Sequence, residues 1–119
     1  MKFTKRISAV AATTALLAGL GGTVGATSAS AAGPCDRPSV TNNSSAYGYF
    51  LGDYHLKTAP AAECGNVTSV KKGAKFYVWC AVENYYGHVW VYGRLNGTNT
   101  KGWESGDNVS YESGSLKHC

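Results

Sequence analysis

Apolar residues in the second half of the chain recur with a period of two, the spacing of a strand and not of a helix. Between Ala74 and Glu83 one alternating set is Phe76, Val78, Cys80 and Val82, and the other is Lys75, Tyr77, Trp79, Ala81 and Glu83. In the next segment the sets are Val89, Val91, Gly93 and Leu95 against His88, Trp90, Tyr92 and Arg94. The more uniformly apolar set of each should face the core, because successive side chains point to opposite sides of a sheet. Directly opposed residues share a face, which restricts the register. Pairing Val82 with Val89 meets that condition and leaves Asn84-Tyr85-Tyr86-Gly87 as a four-residue connection. It also sets Cys80 opposite Val91, Trp79 opposite Tyr92, and Tyr77 opposite Arg94. Asn96-Gly97 is a second hairpin signal, followed by a strand over 101–104 and a closing segment over 107–109.

Upstream, Tyr47, Tyr49, Phe50 and Leu51, then Tyr54 and Leu56, read as two short strands punctuated by Gly52-Asp53. Ala59-Pro60-Ala61-Ala62 is a loop, since proline cannot donate to a ladder. Val67 to Val70 is a brief strand that ends at the turn Lys71-Lys72-Gly73. No segment after the first thirty or so residues carries a helical period. The expected fold is all-β, a small five-stranded barrel over 47–110, with an N-terminal arm over 32–46 and a tail over 111–119.

The first residues read as an export signal. Lys2, Lys5 and Arg6 precede a weakly apolar stretch from Ile7 to Leu20, and Ala29-Ser30-Ala31 has the small-x-small pattern of a cleavage site. A signal peptide over 1–31 would leave 88 of the 119 residues and a secreted, extracellular product. Eight Lys and Arg then stand against seven Asp and Glu, a net charge of +1 with no basic stripe, which argues against nucleic acid as a partner.

All four cysteines lie after that cleavage site, and an even count in a short exported domain implies disulfides. Four cysteines allow three connectivities. Cys64–Cys80 and Cys35–Cys119 is the preferred one, joining a loop to a nearby strand and one end of the chain to the other. A metal site is not expected: there is no Cys-x-x-Cys, and His55, His88 and His118 are isolated. No nucleophile signature frames any serine, and Glu83, Glu104 and Asp107 cannot be placed together from sequence as an acid–base pair. Neither an enzyme nor a cofactor is expected, and after signal removal there is no membrane segment.

Three pieces of the chain, in this order and spacing, resemble a bacterial SH3-like (Src-homology-3-type) domain of the sort found in exported cell-wall proteins. They are Leu56-Lys57-Thr58-Ala59-Pro60, then Val70-Lys71-Lys72-Gly73 with Phe76-Tyr77-Val78-Trp79-Cys80, and last Trp90-Val91-Tyr92-Gly93-Arg94 with Gly102-Trp103. The resemblance covers residues 53–109. This chain departs from it at Lys57 and Ala59, where arginine and glycine are usual, and at Glu104, where an aliphatic residue commonly follows Gly-Trp. The resemblance implies a non-catalytic module that binds cell-wall peptide or glycan, or another exported protein.

Thirteen aromatic residues follow the cleavage site, more than a barrel of this size can enclose. The candidate binding face is Tyr47, Tyr49, Tyr54, Tyr85, Tyr86 and Trp103. Tyr85 and Tyr86 fall on a loop tip, where binding groups are common. For Trp103 and Tyr54, packing against the arm is an equal alternative. Trp79, Trp90 and Tyr92 read as structural. The expected product is a monomeric binding module for a cell-wall polymer, with a soluble inhibitor or effector of another extracellular protein as the alternative.

Overall fold

Short runs of aromatic and β-branched residues, each stopped by glycine, proline or asparagine, produce a chain that is strand wherever it is regular. The computed structural model describes residues 33–119; the expected leader and its cleavage site lie outside the described residues. The strands among the described residues are β1 (Tyr47–Phe50), β2 (Tyr54–Lys57), β3 (Asn66–Val70), β4 (Lys75–Glu83), β5 (Val89–Leu95), β6 (Lys101–Ser105) and β7 (Val109–Ser113), with a 3₁₀ turn at Gly106–Asn108. There is no α-helix among the described residues.

All seven strands form one antiparallel sheet in the order β3-β2-β6-β5-β4-β1-β7. The expectation of a five-stranded barrel is therefore corrected. The span of the resemblance supplies β2 to β6, while β1 and β7 add two further strands beside β4, and the outer strands β3 and β7 do not pair with each other. The sheet nonetheless curls. Val70 of β3 and Val109 of β7 join one buried cluster with Phe50, Leu56, Phe76, Val78, Ala81 and Val91.

The β4–β5 hairpin forms as its alternation predicts, but in a register that changes midway. Tyr77 pairs with Arg94 as expected, whereas Cys80 pairs with Tyr92, Val82 with Trp90 and Glu83 with Val89. The expected pairs Val82–Val89, Cys80–Val91 and Trp79–Tyr92 are each one residue off. The cause is a bulge between Val78 and Cys80, where Trp79 is the extra residue. Beyond the bulge the inward set also moves: Ala81 joins the core cluster opposite Val91, while Cys80 and Val82 do not. Gly87 and Gly97 close the two hairpin turns with φ of 82° and 81°, a region that only glycine enters at little cost.

The disulfides are Cys35–Cys64 and Cys80–Cys119, with Cα separations of 5.5 and 4.8 Å, and not the preferred Cys64–Cys80 and Cys35–Cys119. The reason lies in which segments lie along β4. β1 pairs only with its first residues, so the Trp79 carbonyl accepts from Asn43 and Ser44 of the arm. The tail then comes alongside, with Ala81 N–H donating to Lys117 and Cys119 N–H to Ala81, which delivers Cys119 to Cys80. The arm's other end is left beside the loop that carries Cys64. β7 also runs past position 110, so the first residues expected in the tail belong to the sheet. Two disulfides are consistent with an oxidising environment outside the cytoplasm.

Candidate functional site

On the face of the sheet away from the core cluster, side chains of β1, β4, β5 and β6 form a band of rings and cations in two adjoining groups. Tyr49 lies edge-on to Tyr47, with centroids 6.4 Å apart, and Tyr47 lies 6.3 Å from Tyr77 of β4. The Lys75 ammonium sits 4.5 Å from the Tyr47 centroid and 5.0 Å from that of Tyr77, and Arg94 covers Tyr77 at 5.0 Å. Two residues along β4, Trp79 meets Tyr92 at 5.6 Å and carries Lys101 at 5.7 Å; Tyr92 in turn meets Trp103 at 5.1 Å. The strand period puts these residues on one side, and sheet pairing sets neighbouring rows within ring-contact distance. The Tyr77 hydroxyl beside Lys75 holds the ammonium pKa above its ordinary value, so the cation is fully charged at neutral pH.

The residues expected to share one aromatic face are divided among three places: the band, which also holds Trp103, the inner side of the sheet and the hairpin tip. Tyr47 and Tyr49 are half-buried and belong to the band. Tyr54 packs against the core cluster on the inner side, next to Val70. Tyr85 and Tyr86 sit at the tip of the β4–β5 hairpin, 60% and 53% exposed, with rings 5.2 Å apart. The Tyr86 hydroxyl donates to Glu63, which lowers the Glu63 pKa and raises that of Tyr86. Trp103 is only 2% exposed, lying against Tyr92.

The alternation in the sequence pairs Tyr77 with Arg94 and reads Trp79 and Tyr92 as structural, and nothing in it joins them to β1. The usable signal was the polar-aromatic set Lys75, Tyr77 and Trp79 on β4. What placed Tyr47 beside it is the β1–β4 pairing, Tyr47 with Tyr77 and Tyr49 with Lys75, which links segments about thirty residues apart.

Two hollows flank the arm. One, of about 280 Å³, is lined by Arg37, Pro38 and Val40 of the arm, Lys57, Thr58 and Val67, and Tyr92, Lys101, Gly102 and Trp103. The other, of about 310 Å³, lies toward the hairpin tip between Pro34, Arg37 and Tyr85, with Asp36 and Glu83 among its walls. Glu104 is the one buried acid among the described residues, 3% exposed on β6. Its Oε2 accepts from Asn108 Nδ2 at 2.6 Å, while Oε1 has no partner. Burial pushes its pKa up to about 7, against the opposing pull of Asn108 and Lys57. No group of three or more His, Cys, Asp or Glu that could hold a metal ion occurs among the described residues. No family model, no curated protein and no solved structure matches the chain.

Proposed function

We propose that the chain is an exported, non-catalytic module that binds a cell-wall polymer across the outer face of its sheet. The observation that carries this reading is the band Tyr49–Tyr47–Tyr77 and Trp79–Tyr92, with Lys75, Arg94 and Lys101 laid over its rings. Tyrosine and tryptophan on a rigid sheet offer contact area with little rotamer entropy to lose. Interleaved cations add attraction for the carboxylates that peptide and glycan polymers of the wall carry. The resemblance of residues 53–109 to SH3-like domains of exported cell-wall proteins points the same way.

The test is co-sedimentation of the disulfide-bonded protein with purified peptidoglycan, for the natural chain and for a Tyr77→Ala, Arg94→Gln double variant. The reading requires retention of the first and loss of most retention in the second at unchanged circular dichroism. A natural chain that stays in the supernatant while folded would overturn it.

The exposed Tyr85–Tyr86 pair favours one second reading, that of a protein-interaction module gripping an extracellular partner with the hairpin tip. In that case Tyr85→Ala, Tyr86→Ala abolishes partner capture from culture fluid, and the Tyr77, Arg94 variant does not.

A further inference from the structure

The hollow between the arm and strands β2 and β6 differs in charge from the one beside it. Three cationic residues line it, Arg37, Lys57 and Lys101, and no acidic residue does. The neighbouring hollow has Arg37 alone against Asp36 and Glu83. None of the three cations is ion-paired with a carboxylate among the described residues, and Arg37 makes no hydrogen bond there at all. Lys57 Nζ donates to the Cys64 carbonyl at 3.3 Å and to Asn66 Oδ1 at 2.5 Å. Lys101 Nζ donates to the Asn99 carbonyl at 3.2 Å. An ammonium has three donors, so both lysines keep at least one to offer.

The hollow is also built and not incidental. Cys35–Cys64 fixes the arm two residues before Arg37, and Gly33 N–H donates to Asp36 Oδ2 at 2.9 Å within the same turn. Pro38 then restricts the backbone that follows. Tyr92 and Trp103 are packed on each other at 5.1 Å beneath, so the apolar part of the lining is held in place. A wall held before binding loses little entropy when a ligand arrives.

We propose that this hollow is a carboxylate-binding subsite, which takes the free carboxylate of a short wall peptide between Arg37, Lys57 and Lys101 with the peptide's apolar part on Tyr92. The source of that peptide rests on the wall-binding reading above; the preference for a carboxylate rests on the lining alone. The guanidinium of Arg37 supplies the bidentate fork, and the two ammonium groups act as point charges. The hollow lies beside the aromatic band through Tyr92 and Lys101, so one polymer can engage both.

The test titrates the disulfide-bonded protein with a soluble disaccharide-peptide wall fragment bearing free carboxylates, and with the same fragment as carboxamides, followed by calorimetry and tryptophan fluorescence. The carboxylate form is expected to bind about tenfold more tightly, and Arg37→Gln and Lys101→Gln each to weaken it by about tenfold, the loss of one charge-assisted contact. Lys117→Gln, which removes the same charge from the tail, is expected to leave binding unchanged. Binding of the acid form should fall as salt rises from 0.05 to about 0.5 M, since the groups are solvent-accessible. Equal binding of acid and amide, or natural affinity in both groove variants, overturns the subsite. If that result comes with intact sedimentation on whole peptidoglycan, wall binding stands without it. If the acid fragment binds but whole peptidoglycan does not sediment the protein, the subsite stands and the wall is removed as its source.

Discussion

Glu104 makes the stability of this protein fall as pH rises through neutrality. The carboxyl is 3% exposed, one oxygen lacks any partner, and across the ladder it faces the neighbourhood of Val91, itself fully buried. Removing the charged form from water raises its pKa from 4.5 to about 7, with the Asn108 hydrogen bond and Lys57 offsetting only part of the cost. Below pH 4.5 folded and unfolded chains are both protonated at this residue and it contributes nothing. Between 4.5 and 7 only the unfolded chain gives up the proton, which favours unfolding progressively. Above 7 the folded state has lost the full difference, about 3 kcal/mol for a shift of this size. Of that, about 2.5 kcal/mol falls between pH 5 and pH 8, equivalent to roughly 10–20 °C in Tm for a domain this small. Glu104→Gln keeps the shape and the acceptor for Asn108 while removing the charge. Thermal melts of both proteins at pH 5, 6, 7 and 8 are the assay, and the difference between the two curves isolates this residue from every other titration. Parallel curves, or a natural chain that gains stability relative to the variant toward pH 8, would refute the reasoning.

Three further outcomes follow from packing. Cys35→Ser, Cys64→Ser and Cys80→Ser, Cys119→Ser open loops of 29 and 39 residues, each worth about 4 kcal/mol in the chain-entropy model. Because the loops do not overlap, denaturant titration should find the losses near-additive, and non-reducing peptide mapping should find the remaining bridge intact in each variant. Gly93→Ala places a methyl 2.2 Å from the Tyr77 carbonyl oxygen and 2.9 Å from Phe76 Cζ; it should cost about 3 kcal/mol in a chemical melt, because the nearest atom is backbone and cannot swing aside. Tyr85→Ala, Tyr86→Ala removes only exposed rings and the contact to Glu63, and a Tm within a few degrees of the natural chain is the expected readout.

What was legible in the sequence is local. The Lys75–Glu83 and Val89–Leu95 alternation, the Asn96-Gly97 turn and the Gly52-Asp53 break all act within a few residues, and the strands they predict are present. The register of the hairpin was right at Tyr77–Arg94 and one residue off from Cys80 onward, because nothing in an alternating run marks Trp79 as a bulge. The strand count failed for a related reason. β1 lies between β4 and β7, and β7 runs into what read as a tail, so the two strands beyond the expected barrel come from pairings between distant segments. The disulfide pattern depended on the same pairings, since the tail reaches Cys80 only by lying along β4. At the site, the β4 half of the aromatic band was visible as pairs, but its extension onto Tyr47 was not. Trp103 and Arg37 come near one hollow through the path of an arm that has no periodic pattern to read. Glu104 stands out in the sequence only as an acid where the resemblance has an aliphatic residue, because polarity alone cannot distinguish an outward carboxylate from one enclosed by a curling sheet.

The proposed binding face is most directly tested by amide and side-chain chemical-shift mapping of the disulfide-bonded protein during titration with soluble peptidoglycan fragments. The reading predicts saturable shifts at Tyr47, Lys75, Tyr77, Trp79, Tyr92 and Arg94, continuing to Lys101 and Arg37, with Phe50, Leu56 and Val109 of the core unmoved. Shifts confined to Tyr85 and Tyr86, or none at fragment concentrations of several millimolar, would contradict it.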